Sequence, residues 1–384
     1  MRRIILALAV VSLVATLSFA GNGGHLLINN DNFNGNSADI DTVSSSGALA
    51  LMATVQTTGF GSGGGYFAAP RNAVGQNLRC FFVSDNGSSD IAAFKIPSLA
   101  RVSTNFTNPA LAGSLGIGLA TSPNGKFLYS AWSGSDNIAV LAIAPDCSLS
   151  LVGSPVSQPD QVADITISHD GRVLVVSYPN IGGAQAYKLN ATTGAMTPLG
   201  GEFVMSTLSG CSVGCFPTAV DGDNSDKNWV FGNATLAGAY SVQLTLGPTG
   251  FTGGTVTGYP SSGLQNVETP WLSPAARAGS GNIYLGASGF GSFYPAGIIV
   301  GSYSNGAITY ASATGAPSGT YYAGNVQTIG ATGTGSPITQ ISSNSSAVNT
   351  VTSYTVSGTS LTTAHSLTTS SSGSFAFSTN GVAH

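Results

Sequence analysis

Two carboxylates stand where acid–base chemistry is feasible: Asp164, in Val-Ala-Asp-Ile-Thr-Ile, and Glu268, in Asn-Val-Glu-Thr-Pro-Trp. Each opens or precedes a short apolar run of β character, so its side chain is expected at the end of an inner strand. Paired acids in such a place suit general acid–base work. The plainer reading makes them solvated rim acids or acceptors for strand-end N–H groups, and it carries the greater weight. No serine is followed by histidine and aspartate in a nucleophile arrangement. The four histidines, His25, His169, His365 and His384, are read as structural or exposed.

A second cluster is Asn30–Asp41, Asn-Asp-Asn-Phe-Asn-Gly-Asn-Ser-Ala-Asp-Ile-Asp. Asn30, Asn32 and Asn34 with Asp41 approach the 1, 3, 5, 12 spacing of an oxygen-lined calcium loop, with Gly35 at its tight turn. Position 1 is Asn rather than Asp, and no helices flank the loop, so an Asn-rich turn without a cation outweighs the calcium reading. Asp221–Asp226, Asp-Gly-Asp-Asn-Ser-Asp, is a second and weaker candidate of the same kind on the opposite face, and no cofactor is otherwise required. Aromatic residues near acidic ones form a third set: Trp132 with Asp136, and Tyr178 and Asp90 in matching contexts. Phe33, Phe290, Phe293 and Tyr294 fall in similar loops. Rings beside carboxylates and amides can stack on a sugar or hold a cationic group, although scattered aromatics more often pack a core.

The chain opens Met-Arg-Arg, continues with an apolar run from Ile4 to Leu17 and reaches Ser-Phe-Ala at 18–20. This is the pattern of a secretory signal over residues 1–20, cleaved after Ala20, leaving one domain over 21–384 that is secreted or periplasmic. No other segment has the roughly 20 apolar residues that a membrane span requires. Without Arg2 and Arg3, nine basic residues face fifteen acidic ones, a net charge of −6. No lysine or arginine cluster offers a footprint for nucleic acid. Four cysteines in an exported chain permit two disulfides. Cys211 and Cys215 can close a small loop, whereas Cys80, inside a strand, and Cys147, in a turn, are left open as free thiols.

The elements that must position these residues recur. Arg79–Ile96, Thr121–Ile143 and a copy around Ile165–Leu189 share an apolar strand, a polar loop and an aliphatic third strand. Anchoring the third strand at Ile40, Ile91, Ile138, Ala184, Ala239, Ile298 and Val351 gives spacings of 51, 47, 46, 55, 59 and 53 residues. The 20 residues from Ala20 to Ile40 and the 33 from Val351 to His384 together make one more period. Each unit reads as strand a, turn, strand b, polar loop, strand c, turn and strand d. The expectation is an all-β, seven-bladed β-propeller with four-stranded antiparallel blades, its ring closed by N- and C-terminal strands in one blade.

At Ser-Pro-Asn-Gly-Lys-Phe-Leu-Tyr-Ser-Ala-Trp (122–132) and Ser-His-Asp-Gly-Arg-Val-Leu-Val-Val (168–176) the sequence resembles the lactonase-like seven-bladed propeller family. The resemblance implies a lactone hydrolase, a cycloisomerase or one of the binding propellers built from the same blades. Propeller topology assigns b–c loops and d–a connections to one face. Asp31, Asp39, Asp41, Asp85, Asp90, Asp136, Asp160, Asp164, Glu202 and Glu268 map there, and the nine basic residues of the mature chain map away from it. That predicts an acidic mouth repelling anions. The favoured reading is therefore an exported binding or scaffold module taking a small-molecule, glycan or protein ligand on that face. The alternative is a lactone hydrolase or cycloisomerase, of the 6-phosphogluconolactonase-like kind, acting on a sugar-derived or related lactone.

Overall fold

The computed structural model describes residues 24–61, 72–75, 79–96, 98–111, 117–211, 214–233, 239–259, 267–287, 297–315, 320–328, 338–344, 349–369 and 377–382. Among them the strands form seven antiparallel sheets. Blade 1 orders Phe377–Val382, Gly24–Asn29, Ser37–Val43 and Leu49–Gln56 as strands a to d. Blade 2 uses Asn72–Val74, Cys80–Asp85, Asp90–Lys95 and Phe106–Thr107. Blade 3 uses Ile117–Thr121, Phe127–Trp132, Asn137–Ile143 and Leu149–Leu151, with Val156–Ser157 as an extra pairing. Blade 4 runs Asp164–Ile167, Val173–Tyr178, Gly183–Leu189 and Met196–Val204; blade 5 runs Pro217–Gly222, Asn228–Asn233, Ala239–Gly247 and Gly250–Tyr259. Blade 6 runs Val267–Leu272, Ser280–Ala287, Gly297–Ser304 and Ala307–Gly315; blade 7 runs Thr320–Thr328, Ile338–Asn344, Asn349–Ser357 and Ser360–Thr368. The molecule is thus an all-β propeller of four-stranded antiparallel blades, and each of the seven anchors named above lies in a strand c.

Burial explains why the sequence patterns as it does. Strands b such as Phe127–Trp132 and Cys80–Asp85 are buried at every position, because each is covered by a neighbouring blade on both sides. Such strands read as continuous apolar runs rather than alternating ones. Outer strands d are largely exposed, as in Met196–Val204 and Ser360–Thr368. The cores lie between blades: Phe82, Leu119, Trp132 and Leu141 join blades 2 and 3, and Leu26, Ile28 and Val43 meet Val351 of blade 7.

Polar side chains tie the inner strands. Thr121 Oγ1 donates to Val74 O and Thr166 Oγ1 to Val220 O, both at 2.8 Å. Asp164 Oδ2 accepts from Val220 N, and Asp221 Oδ2 from Leu272 N, again at 2.8 Å. Each bond crosses from one blade to the next. The a–b turns share one build: Gly125 N donates to Ser122 O, and Gly171 N to Ser168 O. Both glycines are left-handed, at φ 65° and 74°, as this turn demands. In blade 5 the same bond runs from Asp226 N to Asp223 O, and Asp226 takes the glycine's place at φ 58°.

Two disulfides are present. Cys211–Cys215 closes the small loop expected of it. Cys80 and Cys147 are also joined, with Cα atoms 5.7 Å apart, which corrects the expectation of free thiols. Strand b of blade 2 and the c–d turn of blade 3 are neighbours in space although 67 residues apart in sequence.

Candidate functional site at the a–b end of the channel

The predicted acidic mouth is mostly not a solvated rim. Asp31, Asp39, Asp41, Asp85, Asp90 and Asp164 are buried; Asp136 is exposed, while Asp160 and Glu202 are half-buried. Of these, Asp31, Asp39, Asp85, Asp90 and Asp164 accept hydrogen bonds from loops and neighbouring strands. Thr54 Oγ1 donates to Asp39 Oδ1 at 2.7 Å, and Asn105 Nδ2 donates to Asp90 Oδ1 at 2.7 Å. Asp136 is shifted upward by desolvation and by Asp160 beside it.

Asp164 holds a structural place: Ile165 N donates to its Oδ1 at 2.7 Å and Val220 N to its Oδ2 at 2.8 Å. Burial raises its pKa well above the carboxylate range against the pull of those bonds. The side chain of Glu268 lies outside the described residues, as do Phe290, Phe293, Tyr294 and residues 1–20. Trp132 and Tyr178 are core residues rather than open stacking surfaces. Trp132 Nε1 donates to Ser130 Oγ at 2.9 Å, and Tyr178 OH donates to Gln158 Oε1 at 2.6 Å.

The four residues of the candidate calcium set in the Asn-rich loop turn to different surroundings. Asn30 Nδ2 and Asn32 Nδ2 both turn to Ser37 Oγ, at 3.0 and 3.4 Å, and Asn34 is exposed. Asp41 is four residues beyond Ser37 along an extended strand, roughly 13 Å at the usual rise. It faces Asp39 between blades, and burial, with the Asp39 charge, lifts it to about 7.

A cavity of about 240 Å³ opens instead where the inner strands of blades 3, 4 and 5 end. Thr121, Thr166, Asp221 and His169 line it, with Arg277 entering from blade 6. Blade 6 supplies Arg277 through a single helical turn, Pro274–Arg277, inserted in its a–b connection. Ser273 caps that turn by accepting from Ala276 N, and Pro274 occupies its first position, the expected start chemistry.

Arg277 is held on three sides. Its Nε donates to Leu272 O at 3.2 Å, its Nη2 to Asp221 Oδ2 at 2.9 Å, and its Cζ lies 4.5 Å from the Trp271 ring centroid. Burial raises the Asp221 pKa, opposed by Arg277 and by bonds from Leu272 N and Gly222 N. His169 sits exposed at the rim. Its backbone N donates to Asp226 Oδ1 at 3.0 Å, binding the blade 4 turn to that of blade 5. Burial and the Asp170 charge raise Asp226 to about 6. The arrangement thus offers a fixed guanidinium, an imidazole and hydroxyls around a space of monosaccharide size.

From the sequence, His169 is discounted because of its face, and Asp221–Asp226 is taken as a weaker cation loop with no link to Arg277. Two signals were available. Ser-Pro-Ala-Ala-Arg is a helix start inside an all-β repeat, and Asp226 replaces glycine in a recurring turn.

Comparison with known proteins supports the resemblance. The family model "Lactonase, 7-bladed beta-propeller" matches residues 67–211. No curated protein sequence matches the chain. Among solved structures, a candidate 6-phosphogluconolactonase from Bacteroides fragilis aligns at 14% identity and a TM-score of 0.70, over 94% of this chain and 98% of its own. A Lactobacillus plantarum protein gives 12% identity and a TM-score of 0.70, over 94% and 99%. The periplasmic gluconolactonase of Pseudomonas aeruginosa gives 16% identity and 0.59, over 77% and 84%. At these identities the structures speak for the fold. Among the described residues no helix is long and apolar enough to cross a membrane.

Proposed function

We propose that this chain is an exported lactone hydrolase of the lactonase-like propeller type, acting on a neutral sugar-derived lactone. The framework is a seven-bladed ring closed by Phe377–Val382 in blade 1. Its support is the chain of contacts between successive first strands, including Phe377–Val382 against both Thr320–Thr328 and Asn72–Val74. The family match supports the hydrolase over the binding or scaffold module, and two disulfides suit an oxidising compartment.

The observation that carries the activity is that His169 and the Arg277 guanidinium share one cavity. Water attacks the lactone carbonyl carbon while His169 takes its proton. Arg277 stabilises the oxyanion that forms, fixed in advance by Asp221 and Leu272 O. The C–O ring bond then breaks, and the departing alkoxide recovers the proton from His169. Asp221 is occupied by Arg277 and two backbone N–H groups, so it positions rather than reacts. Because Asp221 offsets the Arg277 charge and Asp170 and Asp226 lie beside His169, the cavity favours an uncharged lactone over a phosphorylated one.

The test is hydrolysis of δ-gluconolactone and a panel of neutral and phosphorylated lactones. His169→Ala should reduce turnover about 10²–10⁴-fold and Arg277→Gln about 10²–10³-fold. Turnover unchanged by both substitutions, or none on any lactone, would overturn the reading.

A further inference from the structure

Blade 2 sets two carboxylates against each other at the top of its b–c hairpin. Asp85 and Asp90 are register partners at the end of that pairing, which places both side chains on one face with Cβ atoms about 5 Å apart. Asp85 is fully buried and Asp90 nearly so, at 7% exposure. Two ionised carboxylates so close and so dry would repel strongly. A single shared proton removes the repulsion and adds a hydrogen bond.

The neighbours fit a singly protonated pair. Asn36 Nδ2 and Thr57 Oγ1 each donate to Asp85 Oδ1 at 2.7 Å. Asn105 Nδ2 bridges the two acids, 3.4 Å from Asp85 Oδ2 and 2.7 Å from Asp90 Oδ1. The charged groups on the surrounding elements are Asp31 in the blade 1 loop and Arg101 below strand d of blade 2. Arg101 Nη1 donates to Asn105 Oδ1 at 2.9 Å, so it orients the bridge instead of pairing with either carboxylate. Asp31 Oδ1 accepts from Asn86 Nδ2 at 3.3 Å.

Asn36 and Thr57 belong to blade 1, so the pair joins two blades. It does so where the loops interlock. Asn36 N donates to Gly59 O, Thr57 N to Asn36 O, Gly61 N to Asn32 O and Gly87 N to Phe60 O. The approach is close enough that a Cβ on Gly59 would overlap Asp85 Oδ2.

We propose that Asp85 and Asp90 share one proton and form an acid-closed clasp between the loop ends of blades 1 and 2, which loosens when alkaline pH removes that proton. Burial foremost, and Asp90 beside it, raise Asp85 to about 8, while bonds from Thr57 and Asn36 oppose the rise. The folded chain therefore keeps a proton that the unfolded chain gives up near the ordinary carboxylate pKa of about 4. The stabilisation is complete below that value and declines as pH climbs through about 8.

Hydrogen exchange at Asn36, Thr57, Gly61 and Gly87, corrected for intrinsic rates, tests the clasp between pH 6 and pH 9. In the wild type, protection should fall about tenfold or more, one pKa unit being a factor of ten. In Asp85→Asn, whose amide donates to Asp90 at any pH, protection should hold. Asp90→Asn should behave likewise, which covers the case in which one variant fails to fold. Infrared spectra of the wild type minus either variant should show a protonated-carboxyl carbonyl band at pH 6 that is lost by pH 9, the bands of the other buried acids, Asp41 and Asp164, cancelling in the subtraction. Protection in the wild type that ignores pH, the same fall in the variants, or no such band at pH 6 would each overturn the clasp.

Discussion

Removing the two disulfides one at a time tests the inter-blade arrangement quantitatively. Cys80–Cys147 spans 67 residues and Cys211–Cys215 spans 4. In the loop-entropy treatment the longer bridge stabilises by roughly 4 kcal/mol and the shorter by roughly 2 kcal/mol. All four cysteines are buried, so the cost of losing sulfur to Cys→Ala is similar and largely cancels between the pairs. For a chain of 384 residues, an unfolding entropy of about 2.1 cal/mol/K per residue gives about 0.8 kcal/mol/K. The double variant Cys80→Ala/Cys147→Ala should then lose about 5 °C in Tm and Cys211→Ala/Cys215→Ala about 2–3 °C. Scanning calorimetry of both variants and the wild type, without reductant, decides it. Equal losses, or a larger loss from the short loop, would mean that blades 2 and 3 are not stapled as described.

Asp164→Asn should destabilise by about 1–3 kcal/mol, because two buried backbone donors lose a carboxylate, and denaturant titration reads this. Turnover per folded molecule should be retained, whereas a catalytic Asp164 would lose turnover with little change in stability. Asp226→Gly relieves a left-handed residue, worth about 1–2 kcal/mol, but removes the acceptor of the His169 N–H. Its melting temperature should stay near that of the wild type while lactone turnover falls; unchanged turnover would detach Asp226 from the site. Gly194→Ala should lower the melting temperature, since its Cβ would lie 2.8 Å from both Phe127 and Val140 at φ +75°.

The fold was legible because its signals are local and repeated. An apolar strand b, a left-handed turn residue and an aliphatic strand c each leave a mark within a few residues, and the repeat multiplies that mark. Ser122–Gly125 and Ser168–Gly171 are the same turn made twice, and their glycines follow from φ rather than from function. The Cys80–Cys147 bond was not legible, because it depends on which blades become neighbours, and the sequence around each cysteine carries no trace of the other.

The site was harder to see for a related reason. Charge was assigned to solvent from loop position, yet in a chain with 7% charged residues the blade ends need acceptors for many loop N–H and O–H groups. Carboxylates at Asp39, Asp85, Asp90 and Asp164 fill that need. A carboxylate enclosed by donors is a poor base and a poor ligand for a cation, so acid count along the b–c face says little about reactivity there. What distinguishes Arg277 and His169 is the opposite condition. Arg277 is anchored through Nε and Nη2 while still lining open space, and His169 is fixed through its backbone while its ring stands at the rim. Chemistry is better sought where a polar group is held by its near side and open on its far side than where ionisable residues are most numerous. By that criterion the a–b end of the channel, not the acidic end, is where substitution should change turnover without changing the fold.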